Sequence, residues 1–302
     1  QLKDLDVGDW LAVPGTITMA VAPGVPAVEN MVPTKFFGTD IYAAPVMGII
    51  VSICIFIMDY VFYNWCARRC AARGEHFVAG PDDNIPDLND PEAIKNLPGA
   101  LASFLPIIVL VGSIFVFMQF VDVTNYAVVL GMVLGIIVAL VLFWKRLKIR
   151  ADFSDGMGSG LSALMVTSMI MGFGGVVQAS PAFQTCVDWL LGLEMNPILM
   201  AFISINIICM ITGSSTGGLN IFLDALGDYM LNTGINPQVL HRLTCIASAG
   251  LDAMPHASGV VMANTVAKTE MRHTYKYTFV SQCLIPMIGF GIAVILYNFG
   301  IV

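Results

Sequence analysis

Ile211-Thr212-Gly213-Ser214-Ser215-Thr216-Gly217-Gly218-Leu219-Asn220 sets six consecutive small residues inside an uncharged stretch that runs from Met195 to Leu223. Hydrocarbon offers no partners for free backbone groups, so a break of this kind is tolerated only where protein or a water-filled cavity supplies them. The sequence therefore predicts a broken membrane helix over Pro197 to Leu231. A half-helix starts after the break, and its exposed N–H groups and positive dipole end suit an anion such as a carboxylate. Ser214, Ser215 and Thr216 add hydroxyl donors and acceptors, Gly217 leaves space for a ligand, and Asn220 follows one turn later. A helix-packing seam is the competing reading, but seams space their small residues whereas these are consecutive.

Composition agrees with a membrane setting. Of 302 residues, 57% are hydrophobic and only 12% charged, and the mean hydropathy is +0.80, too few charges to cover a water-exposed surface. Ile41 to Met58, Asn96 to Val121, Val123 to Trp144 and Tyr277 to Val302 each approach or exceed the ~20 apolar residues of a bilayer-crossing helix. Strand-like alternation is absent, so the expected fold class is an all-α membrane protein. The lipid bilayer is its expected partner, and nucleic acid is not. The seven cysteines lie singly or at a helix end (Cys66, Cys70) and read as reduced packing residues, leaving no metal or cofactor site. No phosphate-binding loop points to ATP hydrolysis.

Two further interruptions carry ionisable groups. Gly250 to Gly259 contains Asp252, the only formally charged residue between Arg242 and Lys268, with His256 four positions on. A carboxylate at membrane depth points by default to an ion or proton pathway, and histidine is the residue type whose charge ordinarily changes near neutral pH, so the pair Asp252 and His256 is a candidate for proton coupling. A helix cap at Asp252 with His256 holding a freed carbonyl is the alternative. Pro23 to Thr34 places Glu29 and Asn30 in an apolar segment, either facing the same cavity or, for Glu29, solvated beside Lys35. Gly172-Phe173-Gly174-Gly175, with Gln178 and Ser180, marks either the tip of a re-entrant hairpin over Gly158 to Leu191 or a kinked packing helix.

Internal likeness organises these pieces. Pro23 and Pro255 lie 232 positions apart and Tyr42 and Tyr275 lie 233 apart, each pair joining a broken segment to an apolar run. This is the layout of a secondary transporter built from inverted repeats. Residues 1–65 would end the first repeat, 66–98 would form a cytoplasmic linker rich in Asp, Glu and Pro, and 99–302 would be the second repeat. A chain lacking an initiator Met at Gln1 fits a piece that begins late in repeat one. Tracing the spans places twelve basic residues on the cytoplasmic side and leaves only Lys35 and Arg242 elsewhere. A channel would show a charge ring or a filter, and neither is present. An enzyme would have to use Ser258, His256 and Asp252 within one broken turn, which is poor geometry.

At these residues the chain resembles the gluconate/proton symporter family of bacterial permeases, within the wider ion-transporter superfamily. The resemblance rests on Pro23-Gly24-Val25-Pro26 followed by Asn30 and Pro33-Thr34, on Gly213-Ser214-Ser215-Thr216-Gly217-Gly218, on Gly234-Ile235-Asn236-Pro237 leading to Leu240-His241-Arg242, and on Asp252-Ala253-Met254-Pro255-His256. It runs nearly from Trp10 to Val302. It implies uptake of a small organic acid such as gluconate or 3-hydroxybutyrate by proton symport, with Na+ as the alternative coupling ion. It also implies substrate contacts from Asn30 and the Ser214–Asn220 stretch, a multi-pass protein of the bacterial inner membrane, and a homodimer as an assembly to test.

Overall fold

The computed structural model describes residues 17, 20–25, 27–75, 98–121, 124–192, 195–267 and 269–302. The acidic part of the expected linker, Asp82 to Glu92, and Pro26 lie outside the described residues. Every regular element among the described residues is helical: α1 Val28–Phe37, α2 Pro45–Ala72, α3 Ala100–Phe117, α4 Thr124–Phe143, α5 Ile149–Gln178, α6 Pro181–Leu191, α7 Pro197–Thr212, α8 Ser215–Leu231, α9 Pro237–Ser248, α10 Ser258–Ala267, α11 Met271–Phe279 and α12 Ile285–Asn298. A π-helical turn, Val280–Leu284, joins α11 to α12. Among the described residues, four helices are long and apolar enough to cross a membrane: Pro45–Ala72, Ala100–Phe117, Tyr126–Phe143 and Met271–Asn298. Each overlaps one of the four uncharged runs.

Starts and stops follow local chemistry. Pro opens α2, α6, α7 and α9, where its missing N–H costs no helical bond. Asn196 and Asn236 cap α7 and α9 by accepting from Ile198 N and Gln238 N.

The chain divides into two compact units, Val78–Leu161 and the pair Gln1–Phe77 with Ser162–Val302. Within the first, α3 and α4 form an antiparallel hairpin. Gly131 and Gly135, one turn apart on α4, lie directly against Leu110, with Gly131 also against Ile114. Small residues at that spacing let two backbones approach, which is how apolar helices associate in lipid.

The larger unit is organised around α9, ten of whose twelve residues are buried. It packs against α1, α7, α8 and α12. Around it the core gathers Ile205, Ile208, Phe222, Leu240 and Ile246. Asn206 on α7 latches onto α9 by donating to Ala247 O at 3.2 Å.

The break at Gly213 is a reversal rather than a collinear interruption. Gly213 adopts the left-handed conformation (φ 62°) and its N–H closes α7 on Cys209 O, a backbone geometry that glycine adopts without steric cost. Ser214 then caps α8 through Gly217 N at 3.1 Å. α8 folds back on α7 so closely that a Cβ on Gly218 would sit 2.8 Å from Cys209 N and 2.9 Å from Cys209 Cα. Backbone cannot yield as a side-chain tip can, so Gly218→Val is expected to destabilise the hairpin by about 1–3 kcal/mol, read as a lower melting temperature of the detergent-purified protein. An unchanged melting temperature would show that the two helices are not held this close.

The expected tip at Gly172–Gly175 is instead continuous helix inside α5, and the turn falls at Ala179–Ser180. The physical reason is capping. Ser180 accepts from Phe183 N and Pro181 opens α6, whereas the glycine run has neither cap nor proline and retains its intrahelical bonds.

The internal likeness has a structural counterpart. α1 has ten residues and α2 has 28; α10 has ten and Met271–Asn298 has 28. In the first copy the Tyr42 ring lies over Gly24, and in the second the Tyr275 hydroxyl reaches Met254 Sδ at 3.8 Å. The two long helices pack on one another, with Gly289 against Ile55 and Tyr277 against Tyr63, Cys66 and Cys70. Those contacts make them antiparallel, the relation an inverted repeat requires.

Candidate functional site

Three helix N-termini meet at one cavity of about 270 Å3. It is lined by Glu29 from the start of α1, Gly213 to Thr216 at the start of α8, Ser258 to Val260 at the start of α10, Asp252, Ala253 and Ala257 between α9 and α10, and Gln282 from the π turn. Unwound backbone converges here because each break places a helix start next to a non-helical strand of chain. Among the described residues the lining contains two carboxylates and no basic side chain.

Glu29 is its best-held group. It is 1% exposed, and its Oε1 accepts from Ser215 Oγ at 2.8 Å and from Thr216 Oγ1 at 2.6 Å. The shorter distance is that of a charge-assisted hydroxyl–carboxylate bond. Its charge also faces the positive ends of its own helix and of α8, which favour an anion. Oε2 is buried with no protein partner among the described residues, so one carboxylate oxygen is free to take a proton or cation. Asp252 stands within interaction range of both Ser215 and Glu29, making a two-carboxylate site that bridges α1, α8 and the chain after α9. The alternative in which Glu29 is solvated beside Lys35 does not describe this arrangement.

Other residues singled out in the sequence have different positions. Ser214 lines the cavity but spends its Oγ on the cap of α8. Gly217 lies just behind, near Gln178. Asn220 donates to Thr216 O at 2.8 Å, along its own helix. His256 is exposed, and its ring packs over Gly213, where an added Cβ would meet Cδ2 at 2.9 Å. Among the described residues no hydrogen bond joins it to Asp252.

Asn30 faces away from the cavity into a buried knot behind it. Its Nδ2 donates to Val25 O (2.9 Å) and Ile41 O (3.0 Å), and its Oδ1 lies 3.0 Å from Arg242 Nη1 and 3.2 Å from His241 Nε2. Arg242, fully buried, also donates to the carbonyls of Val21, Ile41 and Ala43. Gly48 makes room for it, since a Cβ there would sit 3.2 Å from Arg242 Nε and 2.9 Å from Pro23. His241 Nδ1 pairs with Thr39 Oγ1 at 2.7 Å. The knot ties both ends of α1 to α9 and so fixes Glu29 against α8.

Two contributors went unread in the sequence. Gln282 enters the cavity through the π turn, four residues before Pro286, whose ring denies the Gln282 carbonyl its helical partner; a proline inside an apolar span was the available signal. Arg242 was visible as an exception to the charge bias and as part of the Leu240-His241-Arg242 motif, with no role assigned to it.

Residues 30–301 match the profile of the Na+/H+ antiporter family. The chain is also 28% identical over 314 residues to the uncharacterized transporter YxjC of Bacillus subtilis (strain 168), covering 88% of this chain and 66% of that protein. The chain thus spans slightly less than two thirds of that relative's length. No solved structure matches it.

Proposed function

The chain belongs to the Na+/H+ antiporter family, and from that premise we propose that it is a cation-coupled secondary transporter whose working groups are Glu29 and Asp252, with a small organic acid anion as cargo. The observation that carries this reading is that Glu29 Oε1 holds both hydroxyls at the start of α8. While both carboxylates are ionised they repel an anion, and Glu29 keeps Ser215 and Thr216 engaged. A proton or Na+ taken up at Oε2 or at Asp252 neutralises that charge and weakens Oε1 as an acceptor. The hydroxyls and the three helix N-termini then become available to a carboxylate. Anion binding thereby requires the cation, which is the condition for symport. A cavity of about 270 Å3 suits a small acid such as 3-hydroxybutyrate or gluconate rather than a drug-sized ligand.

The test is uptake by purified protein in liposomes. An imposed pH or Na+ gradient is expected to drive accumulation of labelled 3-hydroxybutyrate or gluconate, and equilibration without accumulation under every gradient would sink cation coupling. A second reading, Na+/H+ exchange without an organic substrate, is favoured by a lining that carries carboxylates and, among the described residues, no basic side chain. An internal pH change on adding Na+ alone would select it.

A further inference from the structure

We propose that Asp59 is a second proton site, a relay connecting the Glu29–Asp252 cavity to the membrane face where α2 ends. This rests on the reading of that cavity as the coupling site. Asp59 lies at the midpoint of the 28-residue α2 and is 3% exposed. An ionisable side chain at membrane depth is costly and marks ion or proton pathways by default.

Its neighbours follow from helix register. On the buried face of α2, Ile55 meets Gly289 one turn before Asp59, while Tyr63, Cys66 and Cys70 meet Tyr277 in the turns after it. Between those two contacts the antiparallel partner presents the π turn, so Asp59 stands level with the segment that carries Gln282. Gln282 lines the cavity. The π turn thus has the cavity carboxylates on one side and Asp59 on the other. Beyond Asp59 the polar line continues through Tyr63 to Tyr277 and Lys276, whose Nζ sits 4.7 Å from the Tyr277 ring centroid.

Several charged and titratable groups lie along this stretch among the described residues. From α2 itself they include Tyr63, Cys66 and Cys70. From the partner helix they are Tyr277 and Lys276, and Lys276 lies at the level of Cys66, not of Asp59. In the step itself, Glu29 or Asp252 ionises as its proton leaves through water beside Gln282. The Asp59 carboxylate accepts that proton, and then returns it to water at the Tyr277 end.

Infrared difference spectra of the purified full chain, taken across a pH titration, test this without a substrate. Asp59→Asn is expected to remove one component of the titrating protonated-carboxyl band, and Glu29→Gln a different one. In liposomes carrying a pH dye, with 3-hydroxybutyrate or Na+ supplied outside, Asp59→Asn is expected to slow proton movement by about a hundredfold, the low end of what a positioned proton-transfer group contributes. Asp59→Glu should restore most of it. A titrating band unchanged by Asp59→Asn, or a folded Asp59→Asn protein that moves protons at the wild-type rate, overturns the relay. If the Glu29→Gln spectrum and flux are also unchanged, the cavity reading fails as well; if only Asp59→Asn is silent, the relay alone fails.

Discussion

Glu29→Gln is expected to abolish accumulation of substrate against a gradient while leaving exchange between equal pools on the two sides of the membrane. Glutamine preserves size and one acceptor for Ser215 or Thr216, but it cannot titrate and carries no charge to hold both hydroxyls. Hydrogen bonds to a charged group contribute about 1.5–3 kcal/mol. A coupled rate reduced by about a hundredfold, equivalent to about 2.7 kcal/mol, is therefore the expected scale. Exchange survives because it needs only that the loaded carrier reorient. Asp252→Asn should show the same split, since Asp252 faces Glu29 and Ser215 in the same cavity. His256→Gln should not, because His256 lies over Gly213 and outside the lining. Both activities must be measured per folded molecule. A Glu29→Gln protein that still concentrates substrate with normal pH dependence would remove this residue from the mechanism.

Arg242→Met is expected to have the largest effect on stability of any single substitution considered. It takes the Arg242 donor from the carbonyls of Val21 and Ala43 and leaves Asn30 Oδ1 with His241 and the weak Cys245 thiol, while Ile41 O keeps Asn30 Nδ2 and Gly24 N. Each orphaned buried group costs about 1–3 kcal/mol, and the combined loss takes a large share of a typical stability of about 5–15 kcal/mol. The protein should fail to give a monodisperse peak in size-exclusion chromatography. Arg242→Lys keeps the charge but not the planar fork that reaches several acceptors at once, so it should fold with a lowered melting temperature. Its transport per folded molecule should remain, because Arg242 positions α1 and does not line the cavity. A stable Arg242→Met protein with the wild-type melting temperature would mean that the knot does not hold the breaks together.

Much of the architecture was readable before any coordinates. The uncharged runs mark the four long apolar helices because a bilayer-crossing helix has to be apolar along its whole length, which is a property of composition and needs no partner. Pro197 marks a helix start for an equally local reason. The Gly213–Gly218 run announces a break, since no other stretch of that length lacks side chains to pack. What it does not announce is direction: whether the chain runs on or turns back depends on Gly218 finding the backbone of Cys209. Gly172–Gly175 shows the converse, a glycine-rich run that stays helical because no cap is there to take over its backbone bonds.

The sequence by itself determined that the chain is a helical membrane protein with interrupted segments carrying Glu29, Asp252 and the hydroxyls after Gly213, because hydropathy and turn chemistry act over a few residues. Only the tertiary structure decided how those residues are used. Glu29 and Ser215 are 186 positions apart, and Asn30 and Arg242 are 212 apart, so neither pairing leaves a local trace. Adjacent in the chain, Glu29 and Asn30 project from one helix at different angles. The packing of α1 between α8 and α9 turns the first into the cavity and the second into the arginine knot. That division of labour comes from which neighbours meet each face, a quantity that no window of sequence contains.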